Sequence, residues 1–212
     1  MTTLTGQQIA GEGLTGWAYL LGGLHTRVRT GDFATGVALL AAIGAAAEEA
    51  NHHPDVNLRR DHVDLRLTSD GERGVTERDV RLARAITSLA GDAGLAPESA
   101  TVSRLELALD TPDHAAVLPF WAAVLAMTPG DGEVRDPADT MPVVWFQESG
   151  SEEPRQRWHP DVWVEPAQVR PRIDAALAAG GTLVSDAAAP SYWVLADPEG
   201  NRVCLCTWQQ RA

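Results

Sequence analysis

Two hydrophobic periods alternate along the first 95 residues of the chain. Val63, Leu65 and Leu67 interleave with Asp64, Arg66 and Thr68, the period of two that marks a strand with one face on a core. Asp32 stands ahead of Phe33, Val37, Leu40, Ala41 and Gly44, whose spacing predicts an amphipathic helix running to about Ala50. Thr5-Gly6-Gln7-Gln8 and Thr76-Glu77-Arg78-Asp79 each have the form of a capping box. The first opens a short helix ending near Gly13, and the second a helix with Val80, Ala83, Ile86 and Ala90 on one face. Residues 17–29 read as two short strands about Gly22-Gly23, and residues 55–60 as a strand beside the one at 63–67. The predicted order is α-β-β-α-β-β-α with a four-stranded antiparallel sheet, complete by about Ala93.

Residues 91–99 hold Gly, Pro and Asp without periodicity and read as a linker, giving domains at 1–95 and 101–212. In the second domain Leu105, Leu107 and Leu109 alternate as a strand, followed by a helix at 112–127 and a strand at 143–146. The pattern returns as a strand at 162–164, a helix at 167–179 and strands at 182–184, 192–195 and 202–207. A paired β-α-β-β-β unit is predicted, so the fold class is α+β throughout.

Composition narrows the partners. The chain has 212 residues and 22.7 kDa, enough for two domains that each bury a core. Its net charge is -12, and all 17 basic residues are arginine. Up to Ala96 nine arginines face twelve acids, and beyond it eight face seventeen, so the halves carry -3 and -9. Such a surface repels phosphate backbones and anionic lipids, and no basic patch offsets it, so neither nucleic acid nor a membrane is an expected partner. Six of the seven tryptophans lie in the second half, which predicts two different cores. Cys204 and Cys206 stand two apart in an apolar run, on one face of a strand and not placed for a disulfide. No charged segment leads into an apolar stretch at the start, and no uninterrupted apolar run approaches the roughly 20 residues of a bilayer span. The expected location is cytoplasmic.

The candidate chemistry lies in Glu48-Glu49-Ala50-Asn51-His52-His53-Pro54-Asp55. Pro54 disfavours the α region at His53, so the chain is predicted to leave its helix there and turn both imidazoles toward one pocket. Imidazoles, which titrate near neutrality when unperturbed, suit proton transfer.

Residues 1–95 resemble the pterin-4a-carbinolamine dehydratase family. The likeness rests on the carboxylate-x3-His-His-Pro pattern of Glu48, His52, His53 and Pro54, on Asp79, on the Asp32-Phe33 helix start and on Gly74-Val75-Thr76. Two positions depart from the family: Arg60 stands where an aromatic is usual, and Asp70 where a third histidine is. The resemblance implies a hydro-lyase that needs no cofactor and dehydrates 4a-hydroxytetrahydrobiopterin, or a related pterin, to the quinonoid dihydropterin. It places His52, His53 and Asp70 in catalytic positions and has Glu48 orient or charge an imidazole. It also has Trp17 and Pro54 line the substrate pocket, and it implies a homo-oligomer. An ionised carboxylate at Asp70 cannot donate a proton. Asp79, three residues after Thr76, reads as a helix cap.

The second domain resembles the glyoxalase-like branch of the vicinal-oxygen-chelate superfamily. Phe120-Trp121-Ala122-Ala123-Val124-Leu125, Trp158-His159-Pro160-Asp161-Val162, Ala179-Gly180-Gly181-Thr182 and Asp197-Pro198-Glu199-Gly200-Asn201 carry the likeness. Metal-dependent members place His or Glu on the first strand of each half and Glu on the last. Here His159 alone matches, and Cys204 stands where the last Glu would be. The expectation is a domain with no metal site and an unknown small-molecule ligand, in which Trp158, Trp163 and Trp193 belong to the core. Two rival readings remain. One is a non-catalytic binding protein that uses the second domain, with the first serving assembly. The weaker one is metal-dependent glyoxalase or dioxygenase chemistry.

Overall fold

The structure, a computed structural model, describes residues 2–69, 74–149, 158–196 and 202–211, apart from the side chains of Phe120, Ala123, Val124 and Leu125. It divides into two compact units, one up to Val102 and one spanning Ser103–Gln210.

In the first unit, α1 (Gly6–Gly11) starts at the Thr5/Gln8 capping box, with both reciprocal bonds formed. The hairpin β1 (Ala18–Leu20) and β2 (Gly23–Arg29) follows, then α2 (Phe33–Ala50), β3 (Asp55–Leu58), β4 (His62–Leu67) and α3 (Glu77–Asp92). The order is the predicted one. Asp32 caps α2 by accepting from Thr35 N at 2.8 Å. The antiparallel path is β1-β2-β4-β3, and the alternation in β4 puts Val63, Leu65 and Leu67 on the core side. Leu39 and Ile43 of α2 join Val80, Ala83, Ile86 and Ala90 of α3 in the same core. By its 18 residues and mean hydropathy of 1.4, α2 is apolar enough to cross a bilayer, yet Gly36, Leu39, Ile43 and Ala47 form a buried stripe and Glu48 and Glu49 close the helix.

The linker expected at 91–99 is in part structured. Pro97–Glu98 forms a two-residue strand, β5, that pairs with Val28 and Arg27 of β2, so the sheet has five strands. Proline lacks an N–H for a ladder and is tolerated at such an edge. The contact is held from below by Gly16, at φ +79°, where a Cβ would overlap the Pro97 carbonyl. Thr26 Oγ1 donates to Gly16 O at 2.6 Å, fixing this turn against β2.

The second unit contains two β-α-β-β-β modules. The first is β6 (Arg104–Thr111), α4 (His114–Leu125), β7 (Thr128–Pro129), β8 (Glu133–Arg135) and β9 (Val143–Glu148). The second is β10 (Trp158–Trp163), α5 (Pro166–Ala178), β11 (Thr182–Ser185), β12 (Tyr192–Ala196) and β13 (Arg202–Cys206). They share one eight-stranded sheet, β11-β12-β13-β10-β6-β9-β8-β7. In each module the first strand runs parallel to the last, and the two first strands meet antiparallel at the centre.

Strand parity divides this sheet. Leu107 and Leu109 of β6, Val144 and Phe146 of β9 and Trp158 of β10 pack with residues of α4, while Leu205, Val162 and Trp193 pack with Val169 and Ile173 of α5. The alternate positions, Glu106, Asp110, Trp145, His159, Asp161, Trp163 and Cys204, share the opposite face. Polar residues therefore converge on one side because the leucine alternation of β6 claims the other.

Candidate active site

The two histidines follow the end of α2, and the turn there is made by Asn51. Asn51 is left-handed (φ 47°, ψ 42°), its N–H donates to Glu48 O at 3.1 Å, and His52 N–H reaches back to Ala47 O at 3.0 Å. This is the paired-bond stop that asparagine tolerates without glycine. The chain thus leaves the helix before His53, earlier than the constraint from Pro54 predicts. The guanidinium of Arg78, in the first turn of α3, donates to Asn51 O and to Ala50 O, tying α3 to the end of α2. Pro54 is half-buried and leads directly into β3.

Each imidazole holds a carboxylate on its Nε2, in different surroundings. His52 is buried, and its Nε2 lies 2.7 Å from Asp79 Oδ1; Asp79 is 0% exposed. The other oxygen of Asp79 accepts Thr76 N–H at 2.7 Å and lies 2.7 Å from Ser69 Oγ and 3.1 Å from Thr76 Oγ1. Asp79 therefore completes the capping box of α3 and, in addition, orients His52. The spacing predicts the cap; the second role comes from a contact 27 residues away in sequence. An ionised carboxylate only accepts, so it is the Nε2–H of His52 that points at Asp79. His53 Nε2 meets Glu48 Oε1 at 3.1 Å, with the two side chains 55% and 80% exposed. At that exposure the ion pair itself contributes little, about 0–1 kcal/mol, and its effect is to bias the ring's orientation.

Trp17, expected to line the pocket, is instead part of the core. It is 5% exposed among Leu24, Ile86 and Ala90, and its indole N–H donates to Thr87 Oγ1 at 3.0 Å. A large ring with one polar atom is satisfied by a buried hydroxyl, and α3 supplies it. Asp70 lies outside the described residues. His25 and His62 bond elsewhere, His25 Nε2 to Leu20 O and His62 Nδ1 to Asp61 Oδ1.

What this arrangement offers is a buried imidazole oriented by a carboxylate and, next in the chain, an imidazole open to solvent. That combination suits a reaction in which one proton is removed and another delivered.

The profile of the family described as "Pterin 4 alpha carbinolamine dehydratase" matches residues 2–89. A protein of Mycolicibacterium vanbaalenii carrying the name "Putative pterin-4-alpha-carbinolamine dehydratase" is 33% identical over 93 residues, covering 43% of this chain and 100% of that one. The chain belongs to this family. A second profile, that of a glyoxalase-like domain, matches residues 106–206, so the pterin dehydratase-like domain is fused to a glyoxalase-like one. Among solved structures, one titled as a transcriptional coactivator/pterin dehydratase from Brucella melitensis is 29% identical, with a TM-score of 0.41, covering 42% of this chain and 100% of that one. Another, a glyoxalase/bleomycin resistance protein/dioxygenase superfamily member from Vibrio splendidus 12B01, is 13% identical with a TM-score of 0.36, covering 50% of this chain and 99% of that one.

In the glyoxalase-like domain Trp158 and Trp193 pack in the cores, as expected, and Trp158 meets Trp121 edge-on at 5.1 Å. Trp163 is buried on the opposite face, where its indole N–H donates to Glu106 Oε2 at 2.7 Å. Burial pushes the Glu106 carboxyl above the usual carboxylate range, and the Trp163 bond opposes that shift. His159, the one position that matches a ligand of the metal-dependent members, has two further donor side chains beside it. Asp161 and Cys204 present ligand atoms that lie with those of His159 within 4.8 Å of one another. Asp161 matches no ligand position of the related metal enzymes, so the motif alone does not mark it as a donor.

Proposed function

We propose that the first domain dehydrates a 4a-hydroxytetrahydropterin, 4a-hydroxytetrahydrobiopterin or a close relative, to the quinonoid dihydropterin. The observation that carries this reading is the buried His52–Asp79 pair standing beside the exposed His53–Glu48 pair. As the C4a–O bond breaks, a proton from the His53 imidazolium reaches the leaving oxygen, which departs as water. The N5 proton passes to Nδ1 of His52 while the N5–C4a double bond forms. The positive charge gained by His52 faces the Asp79 carboxylate until its proton passes to solvent, and His53 regains a proton from solvent, which restores both imidazoles. Asp70 keeps the third catalytic position, but when ionised it cannot donate, which leaves the acid's role to His53. Phe33 and Val37, 53% and 47% exposed on α2, give this domain an apolar patch that supports a homo-oligomer.

Calorimetric titration of the intact chain with oxidised biopterin tests where the pterin binds. Binding is expected to be weakened in the His52→Gln/His53→Gln double variant and unchanged in His159→Ala. Loss in His159→Ala with retention in the double variant would assign the pterin to the second domain and refute the proposal.

A further inference from the structure

We propose that His159, Asp161 and Cys204 form a binding site for a zinc-class divalent metal on the polar face of the second sheet. Strands β10 and β13 pair in parallel with Asp161 opposite Cys204, and His159, two residues back on β10, points to the same face. The three ligand atoms lie within 4.8 Å of one another, and His159 Nε2 is 3.5 Å from Asp161 Oδ1. In a tetrahedral zinc site with bonds of about 2.0–2.3 Å, neighbouring ligand atoms stand roughly 3.3–3.8 Å apart, so the imidazole and the carboxylate are already at that spacing. Only the thiol side needs to draw in, by about 1 Å at most on the same geometry.

The surroundings complete the arrangement. Asp110 Oδ1 lies 3.9 Å from His159 Nδ1, on the side of the ring away from Asp161. At that distance the two form an ion pair without a hydrogen bond, and a shift of roughly 1 Å would let the carboxylate accept the second N–H, as the outer partner of a metal-bound histidine does. Trp145 packs edge-on against the same ring, with centroids 6.0 Å apart, and limits its rotation. Asp161 is 7% exposed, while His159 and Cys204 are half-buried, so the group is partly screened from solvent. Two carboxylates flanking one imidazole concentrate negative charge that a dication offsets.

The donor set selects the metal. A thiolate beside an imidazole and a single carboxylate suits zinc or cobalt and disfavours magnesium and calcium, which take oxygen ligands. Three protein ligands leave a fourth position for water, the pattern of a reactive rather than a purely structural zinc site. The set is this chain's own: β6 contributes no histidine, and Asp161 supplies the ligand that strand leaves out.

Cobalt(II) titration of the chelator-stripped full chain tests this without an assay of activity. One equivalent is expected to bind with a thiolate-to-cobalt charge-transfer band and the intense visible bands of four-coordinate cobalt, and stoichiometric zinc is expected to displace it. Cys204→Ser should remove the charge-transfer band, Cys206→Ser should keep it, and Asp110→Asn should weaken binding about 10- to 100-fold. No stoichiometric uptake by the parent chain, or a band that survives Cys204→Ser, would overturn the proposal.

Discussion

Replacing Asp79 by alanine is expected to cost the first domain about 2–6 kcal/mol, at roughly 1–3 kcal/mol for each buried N–H left without an acceptor. The residue is fully buried and serves two functions, so the substitution removes the N3 half of the capping box of α3 and leaves the His52 and Thr76 N–H groups without an acceptor. Urea unfolding of the intact chain reads the loss as a lower midpoint for the first-domain transition. Asp79→Asn separates the roles. Its carbonyl oxygen can keep the bond from Thr76, while its amide then faces His52 Nε2 and drives the imidazole to the other tautomer. It should unfold closer to the parent than Asp79→Ala yet dehydrate pterin far more slowly. A parent-like midpoint for Asp79→Ala would mean that the network does not hold the domain together.

His52→Gln is expected to lower the dehydration rate about 10²- to 10⁴-fold, the usual loss when a positioned acid or base is removed. Glutamine retains a donor for Asp79 but cannot take up a proton, so folding should be nearly unchanged. Glu48→Gln should change the rate by less than about tenfold, because an exposed ion pair contributes about 0–1 kcal/mol. Stopped-flow measurement of single turnovers distinguishes them. Parent-like rates in His52→Gln would remove this residue from the chemistry.

The local features of the first domain were legible because they are written in short-range patterns. Thr5 with Gln8, Thr76 with Asp79 and Asp32 ahead of Phe33 place helix starts where the structure has them, and the alternation at 63–67 gives both strand and core face. Long-range contacts were not legible. The bond from His52 to Asp79 joins the end of one helix to the start of another, and nothing within either segment announces it. Trp17 has the residue type of a pocket wall, yet its neighbours, which come from α3 and the sheet, make it core. Pro97 and Glu98 look like linker because a two-residue edge strand is too short for any period to appear. In the second domain the leucines of β6 announced the sheet, but the meeting of Asp161 with Cys204 depends on the parallel register of β10 and β13. Local pattern carries no information about which strands become neighbours.

The central claim is that the His52/His53 site accelerates loss of water from a 4a-hydroxytetrahydropterin. It is tested most directly by following that dehydration in stopped flow with the intact chain, with its His52→Gln/His53→Gln double variant, and with no protein. The account predicts a rate that rises in proportion to intact chain and, with the double variant, falls most of the way back to the spontaneous value. A rate with the intact chain equal to the spontaneous one, or undiminished in the double variant, would contradict it.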